Sequence, residues 1–331
     1  MAVSKARKAV MKRSSGLPKG CVTVKGYDFN ADGKSGKVNY SKLLDSYLST
    51  GFQASQFAKA VEIIREMRKS ECTIYLGYTS NMVSSGLREI IRYLAQHKLV
   101  DVIVTTVGGV EEDLIKTWGD FGVSFEKQDD NALREKGINR MANILVPNSG
   151  YTKFEDWINP LLDRISEEQR SGKIHTASEL IAFLGKNMKS EESIYNWASK
   201  NNIPVFCPAI MDGSLGDMIH FFSYNKPIRI DAVRDAHILN DFTMKQQKTG
   251  IIILGGGVVK HHICNANLMR DGADFAVYIN NASEFDGSNA GAGPEEAVSW
   301  GKIAQKGKSV KVFGDAILLF PLIAAKAFVE K

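Results

Sequence analysis

Short uninterrupted apolar runs alternate along the chain with longer segments of helical spacing. Thr73 to Gly77, Val100 to Thr105, Val205 to Ala209, Ile251 to Leu254, Ala276 to Ile279 and Val310 to Phe313 are the apolar runs, and each predicts a buried strand. From Gln53 to Lys69, Phe57, Ala60, Val61, Ile64 and Met67 recur every three or four positions, so one helical face is apolar and packs inward. Helices are also predicted over Tyr40 to Ser49, Ser85 to Gln96, Phe154 to Ile165, Ser178 to Asn187, Ser193 to Asn201 and Asp231 to Thr243, with another closing the chain. Residues 119 to 150 follow neither period and read as irregular and polar. Strand, small polar turn, helix, strand is the order of parallel βαβ units. The expectation is an α/β fold: a mostly parallel, Rossmann-like sheet with helices on both faces, in one large domain.

Such sheets bind ligands beyond the carboxyl ends of their strands. That places Ser80 and Asn81, the turn Gly108-Gly109 with Glu112, and Asp315 on a rim. Taken singly, each turn reads equally well as punctuation. Met211 to Asp217, with two aspartates around two glycines, reads as an anionic turn, either Asx-capped or a site for a hydroxyl or cation. The most loaded stretch runs from Ile251 to Lys302. It opens with a strand feeding Gly255, Gly256 and Gly257, which let a ligand approach the main chain. The helix expected after them offers its positive end to an anion. The triplet is not the Gly-x-Gly-x-x-Gly fingerprint, so it does not by itself indicate a dinucleotide.

Composition narrows the setting. The 331 residues can bury a large core, and no run of about 18 apolar residues predicts a membrane span. Four scattered cysteines without a Cys-x-x-Cys pair point to reduced thiols in a cytoplasmic protein, and away from a zinc site or disulfides. Much of the +5 net charge sits before residue 20, so residues 1–20 read as a basic, flexible extension and 21–331 as the catalytic domain. The remainder is near neutral, which gives no support to nucleic-acid binding. Lys302, beside Trp300, and Lys260, nearer the glycines, are both candidate nucleophiles. An imine-forming lysine must lose its proton well below its usual pKa of about 10.4, through burial or a neighbouring cation. His261 and His262 offer one base near neutral pH, and no third ligand at suitable spacing makes a metal site.

Several stretches resemble the deoxyhypusine synthase family. They are GGGVVKHHICNANLMR at 255–270, GADFAVYIN at 272–280, EFDGS at 284–288 and EAVSWGK at 296–302. Upstream, YTSN at 78–81, TVGGVEED at 106–113, DGSLGDM at 212–218, YDFN at 27–30 and TGFQ at 50–53 extend the resemblance over nearly everything after residue 20. It implies an NAD-dependent transferase that oxidises spermidine, releases 1,3-diaminopropane and holds the 4-aminobutyl group as an imine on a lysine. That group then passes to one lysine of a translation initiation factor. The resemblance further implies a homotetramer with sites at a dimer interface. By its alignment Lys302 is the nucleophile, His261 lies near the secondary amine, and Trp300, Tyr278, Asp217 and Glu296 line the polyamine site. Ser80, Asn81, Thr106, Glu112, Asp212, Gly256, Gly257, Asp286 and Asp315 fall on positions associated with NAD.

One segment departs from the family. Its usual GSDSGARPDE is GSNAGAGPEE at 287–296, so Asn289 stands where a polyamine-anchoring aspartate is expected. Asn281 likewise replaces a common threonine. The departures keep two alternatives open: a homospermidine synthase, which uses putrescine as acceptor, and a catalytically weak paralogue that regulates a sister subunit.

Overall fold

The computed structural model describes residues 2–330. The chain divides into two compact units, Met1–Ala58 and Lys59–Lys331. In the first, Ala2–Val10 is a helix with no buried residue. Asp28 and Asn39 cap the 3-10 turn Phe29–Ser35 and the helix Tyr40–Asp45, accepting from the main-chain N–H groups of Asn30 and Lys42. The helix expected over Tyr40 to Ser49 breaks at Ser46 into Tyr40–Asp45 and Tyr47–Thr50. The Ser46 hydroxyl donates back to the Leu43 carbonyl at 2.7 Å, a local bond that competes with the helical ladder.

Among the described residues the second unit is built on nine strands. They are β1 (Thr73–Tyr78), β2 (Val102–Thr105), β3 (Gly122–Val123), β4 (Ile138–Met141), β5 (Ile144–Pro147), β6 (Val205–Phe206), β7 (Thr249–Leu254), β8 (Ala273–Asn280) and β9 (Ile303–Phe313). Six form one parallel sheet in the order β6-β2-β1-β7-β8-β9. β7 is buried at every position and β1 at all but its first, as a sheet covered by helices on both faces requires. Tyr75, Val104, Ile251, Ile253 and Tyr278 from the strands meet Val259 and Ile263 from the helix Gly257–Leu268 in one core.

The order of strands marks a candidate ligand crevice. From β1 the chain steps to β2 and then β6 on one side. It returns to β7 on the other side of β1 and steps outward to β8 and β9. The winding reverses between β1 and β7, and such a reversal leaves a crevice beyond the two strand ends. The turns that follow these strands are Thr79-Ser80 and Gly255-Gly256-Gly257.

Three further expectations are corrected. Residues 119–150 are not irregular throughout: β3, β5 and β4 form a small antiparallel sheet, with the helix Asp130–Glu135 beside it. Its strands are too short and too exposed to show an apolar period. The helix expected over Phe154 to Ile165 runs from Asn148 to Arg170, with Pro160 inside it. The supposed turn at Met211 to Asp217 leads at once into a helix, Ser214–Ser223. Gly216 within that helix has to be glycine, because a Cβ there would lie 2.1 Å from the Met211 carbonyl oxygen. No helix among the described residues is long and apolar enough to cross a membrane.

Candidate active site

Three side chains from the segment after β2 fasten the turn after β1. The Ser80 N–H donates to Thr106 Oγ1 at 2.9 Å, and the two hydroxyls lie 2.6 Å apart. Glu112, on the helix Val107–Ile115, accepts from the Ser84 hydroxyl. Lys116 Nζ donates to the carbonyls of Val83, Ser84 and Ser85 at 2.7, 2.8 and 3.1 Å. The Glu112 carboxyl is pushed up to about 7, chiefly by burial and further by the charge of Glu111; the Ser84 bond and Lys116 oppose this. Glu111 is raised as well, by burial. It accepts from the Leu215 N–H at 2.7 Å and so anchors the start of the helix Ser214–Ser223.

Across the crevice, Gly255 and Gly257 take φ of +86° and +62°, which a side chain would strain. Nothing lies within 4 Å of a Cβ placed on Gly257, so the main chain is open there. Gly256 instead meets the loop after β8: a Cβ on it would lie 2.5 Å from that of Ala290. Asp286 is exposed in this loop and accepts from the Ser288 N–H at 2.7 Å, which holds its carboxyl below the usual range. Asp315, also exposed, caps the helix Ala316–Ala324. Asp212 and Asn81 are exposed on the rim, and Asn81 Oδ1 accepts from the Thr79 hydroxyl at 2.6 Å.

The lysines differ sharply. Lys260 is 2% exposed; its Nζ donates to the carbonyls of Asn289 at 2.6 Å and Ala292 at 2.7 Å and lies 4.5 Å above the Tyr278 ring. Burial depresses its pKa to about 8. Lys302 is half-buried, with Nζ 5.5 Å from the centre of the Trp300 ring, and Trp300 is 63% exposed. Glu296 is exposed on the helix Pro294–Ser299, one turn before Trp300. Its charge and that of Lys302 both act on Lys260, so these groups share one neighbourhood.

The remaining predicted residues are spread more widely. His261 is exposed on the helix Gly257–Leu268, while burial lowers the pKa of His262. Asp217 is exposed in the first turn of Ser214–Ser223, beyond β6 at the opposite edge of the sheet from β9. Tyr278 is wholly buried, its hydroxyl 3.4 Å from Cys264 Sγ, and lies beneath Lys260. Asn289 is half-buried and donates weakly to the Gly257 carbonyl at 3.4 Å. Sequence reasoning missed Lys116, Lys311 and the loop carbonyls that Lys260 binds. A lysine is not distinctive in sequence, and its main-chain partners are set by the fold.

Comparison with known proteins adds to this geometry. A family model described as deoxyhypusine synthase matches residues 42–327. A Drosophila melanogaster protein named "Probable deoxyhypusine synthase" is 51% identical, over 99% of this chain and 95% of its own. Homospermidine synthase 2 of Senecio vernalis is 48% identical, over 100% of this chain and 95% of its own. A crystal structure of a provisionally named deoxyhypusine synthase from Entamoeba histolytica superposes with a TM-score of 0.68 at 38% identity, covering 92% of this chain and 96% of that one.

Proposed function

The chain belongs to the deoxyhypusine synthase family, and from that premise we propose that it transfers the 4-aminobutyl group of spermidine to a lysine of a translation initiation factor, with NAD as cofactor and Lys302 as carrier. The contrast between the two lysines carries this reading. A nucleophilic amine must offer its electron pair to the incoming carbon. Burial depresses the pKa of Lys260, but that amine is sealed and spends its donors on carbonyls, whereas Lys302 is reachable beside an exposed tryptophan and carboxylate.

Ser80, Asn81, Thr106, Glu112, Asp212, Gly256, Gly257, Asp286 and Asp315 are the residues proposed to hold NAD. The open main chain at Gly257 and the Ser80–Thr106 hydroxyl pair, on facing sides of the winding reversal, support the fit. When bound, NAD supplies the hydride acceptor for spermidine oxidation and the donor for the final reduction. The chain's own residues do the rest. Glu296, Asp217 and the Asn289 amide receive ammonium groups, and Trp300 lies against the alkyl chain. His261 carries the proton at the secondary amine. The Lys302 amine attacks the oxidised carbon, and 1,3-diaminopropane leaves with the electrons of its C–N bond and a proton. The aminobutyl group stays as an imine on Lys302 until the acceptor amine displaces it. Tyr278 acts through Lys260 from below.

The site is best read as shared between copies in a homotetramer. Ala273 N, at the start of β8, donates to the Lys302 carbonyl, while the Gly255 N–H donates to Ile279 near its end. Six residues of strand separate these points, or about 20 Å, which is longer than a lysine side chain spans. The exposed Trp300 and the 99%-exposed Phe285 fit a surface that a second copy covers.

Asn289 favours one second reading, homospermidine synthesis with putrescine as acceptor. Proteins named for the two activities are 51% and 48% identical to this chain. Incubation with labelled spermidine and NAD, with acceptor protein or putrescine, followed by borohydride, tests all of this. Label on Lys302 is expected, with transfer lost in Lys302→Ala. Label on Lys260 would overturn the assignment, transfer to putrescine alone would replace the acceptor, and no cleavage at all would favour a regulatory paralogue.

A further inference from the structure

The loop from Asn281 to Gly293 joins β8 to the helix Pro294–Ser299 and is held in an unusual way. Lys311, on β9 and with a side chain 9% exposed, donates from Nζ to the carbonyls of both Ala282 and Gly291. These two residues flank the eight residues 283–290 at its neck. The stems touch there main chain to main chain: a Cβ on Gly291 would lie 1.6 Å from the Ser283 carbonyl oxygen. Lys260 grips the same neck from the helix Gly257–Leu268, through Asn289 O and Ala292 O. Beyond the neck, Glu284, Phe285, Asp286, Gly287 and Ser288 are all exposed. A compact loop of this length with touching ends is an Ω-loop.

Both ammonium groups are expensive to bury. Removing a cation from water costs free energy that carbonyl dipoles only partly return. Glu284 places a carboxylate 3.7 Å from Lys311 Nζ, but that side chain is largely exposed. Apolar side chains at both positions would fill the space without that cost, but they would leave four loop carbonyls unbound.

We propose that Lys311 and Lys260 form a two-ammonium clasp that closes the neck of the 283–290 loop and thereby positions Asp286 and Asn289 against the glycine turn. They are positioning residues, and neither touches the reacting atoms. The ligand side of this inference rests on the reading of Asp286 and Asn289 given above; the clasp itself does not.

Hydrogen exchange separates the two. In Lys311→Met, amides of 283–290 should exchange about tenfold faster or more, the loss expected for one or two charge-assisted bonds. Amides of β7 and β8 should keep their wild-type rates, and Lys311→Arg, which can still serve two carbonyls, should restore protection. KM for NAD and spermidine should rise more than kcat falls. Gly291→Ala gives a second route, because it opens the neck by steric force with both lysines intact, and it should loosen the same amides. Unchanged exchange in 283–290 in both variants would overturn the clasp. Faster exchange with unchanged KM values would keep the clasp and overturn the roles given to Asp286 and Asn289.

Discussion

Asn289 and Glu112 show how much single side chains decide. Spermidine is a polycation, and at Asn289 the proposed site offers an amide where a carboxylate is expected. A charged hydrogen bond contributes about 1.5–3 kcal/mol and a neutral one roughly half. Asn289→Asp should therefore lower KM for spermidine about threefold to tenfold and sharpen discrimination against putrescine, as steady-state kinetics with both amines will show. An unchanged KM for each would mean that the charge is supplied by another group. Glu112 titrates near 7 in the fold instead of near 4.5. Between these values the folded state binds more protons than the unfolded one, so this group removes stability as pH rises from 4.5 to 7. The full loss is at most about 3 kcal/mol. Glu112→Gln keeps an acceptor for Ser84 without the charge, so its melting temperature relative to wild type should climb from pH 5 to pH 7. A constant difference across that range would refute the buried-acid reading.

Among elements, the strands were legible because parallel strands buried on both faces are continuous apolar runs, as β7 and β8 are. What escaped reading has particular causes. The helix Ser214–Ser223 follows Asp212-Gly213 and carries Gly216, residues that favour turns; its first turn is anchored by a tertiary bond, the Leu215 N–H to the Glu111 carboxylate, which the sequence does not display. The small sheet β3-β5-β4 lacks enough residues per strand for a period to appear. Asp113 ties the helix Val107–Ile115 to Ile194–Lys200, accepting from Arg88 Nε at 2.7 Å, the Ser193 hydroxyl at 2.6 Å and the Ile194 N–H at 3.1 Å. In sequence that aspartate is only one more acid after Glu111 and Glu112. The candidate site divides in the same way. Glu296, Trp300 and Lys302 lie within seven residues and could be read together, whereas the grip of Lys260 and Lys311 on distant carbonyls exists only once the sheet has formed.

For the whole molecule, the proposed sharing of the site between copies makes a complementation prediction. On that proposal Lys302→Ala and Glu112→Ala damage different halves, so each protein alone should be nearly inactive. Random mixing of protomers pairs an intact cofactor half with an intact lysine half at about a quarter of sites. Co-expression should restore activity of that order, and activity no greater than the sum of the separate variants would place both halves in one chain. The strand order also bears on how the chain reaches this state. β1 pairs with β7, so Thr73–Tyr78 must wait for Thr249–Leu254, about 170 residues later, before the centre of the sheet can close. A ribosome that has released the first 240 residues has delivered β1, β2 and β6, but the partner for one long apolar edge of β1 is still unmade. Through most of its synthesis the growing chain therefore carries an open strand edge. Shielding that edge is a task for whatever attends the nascent polypeptide.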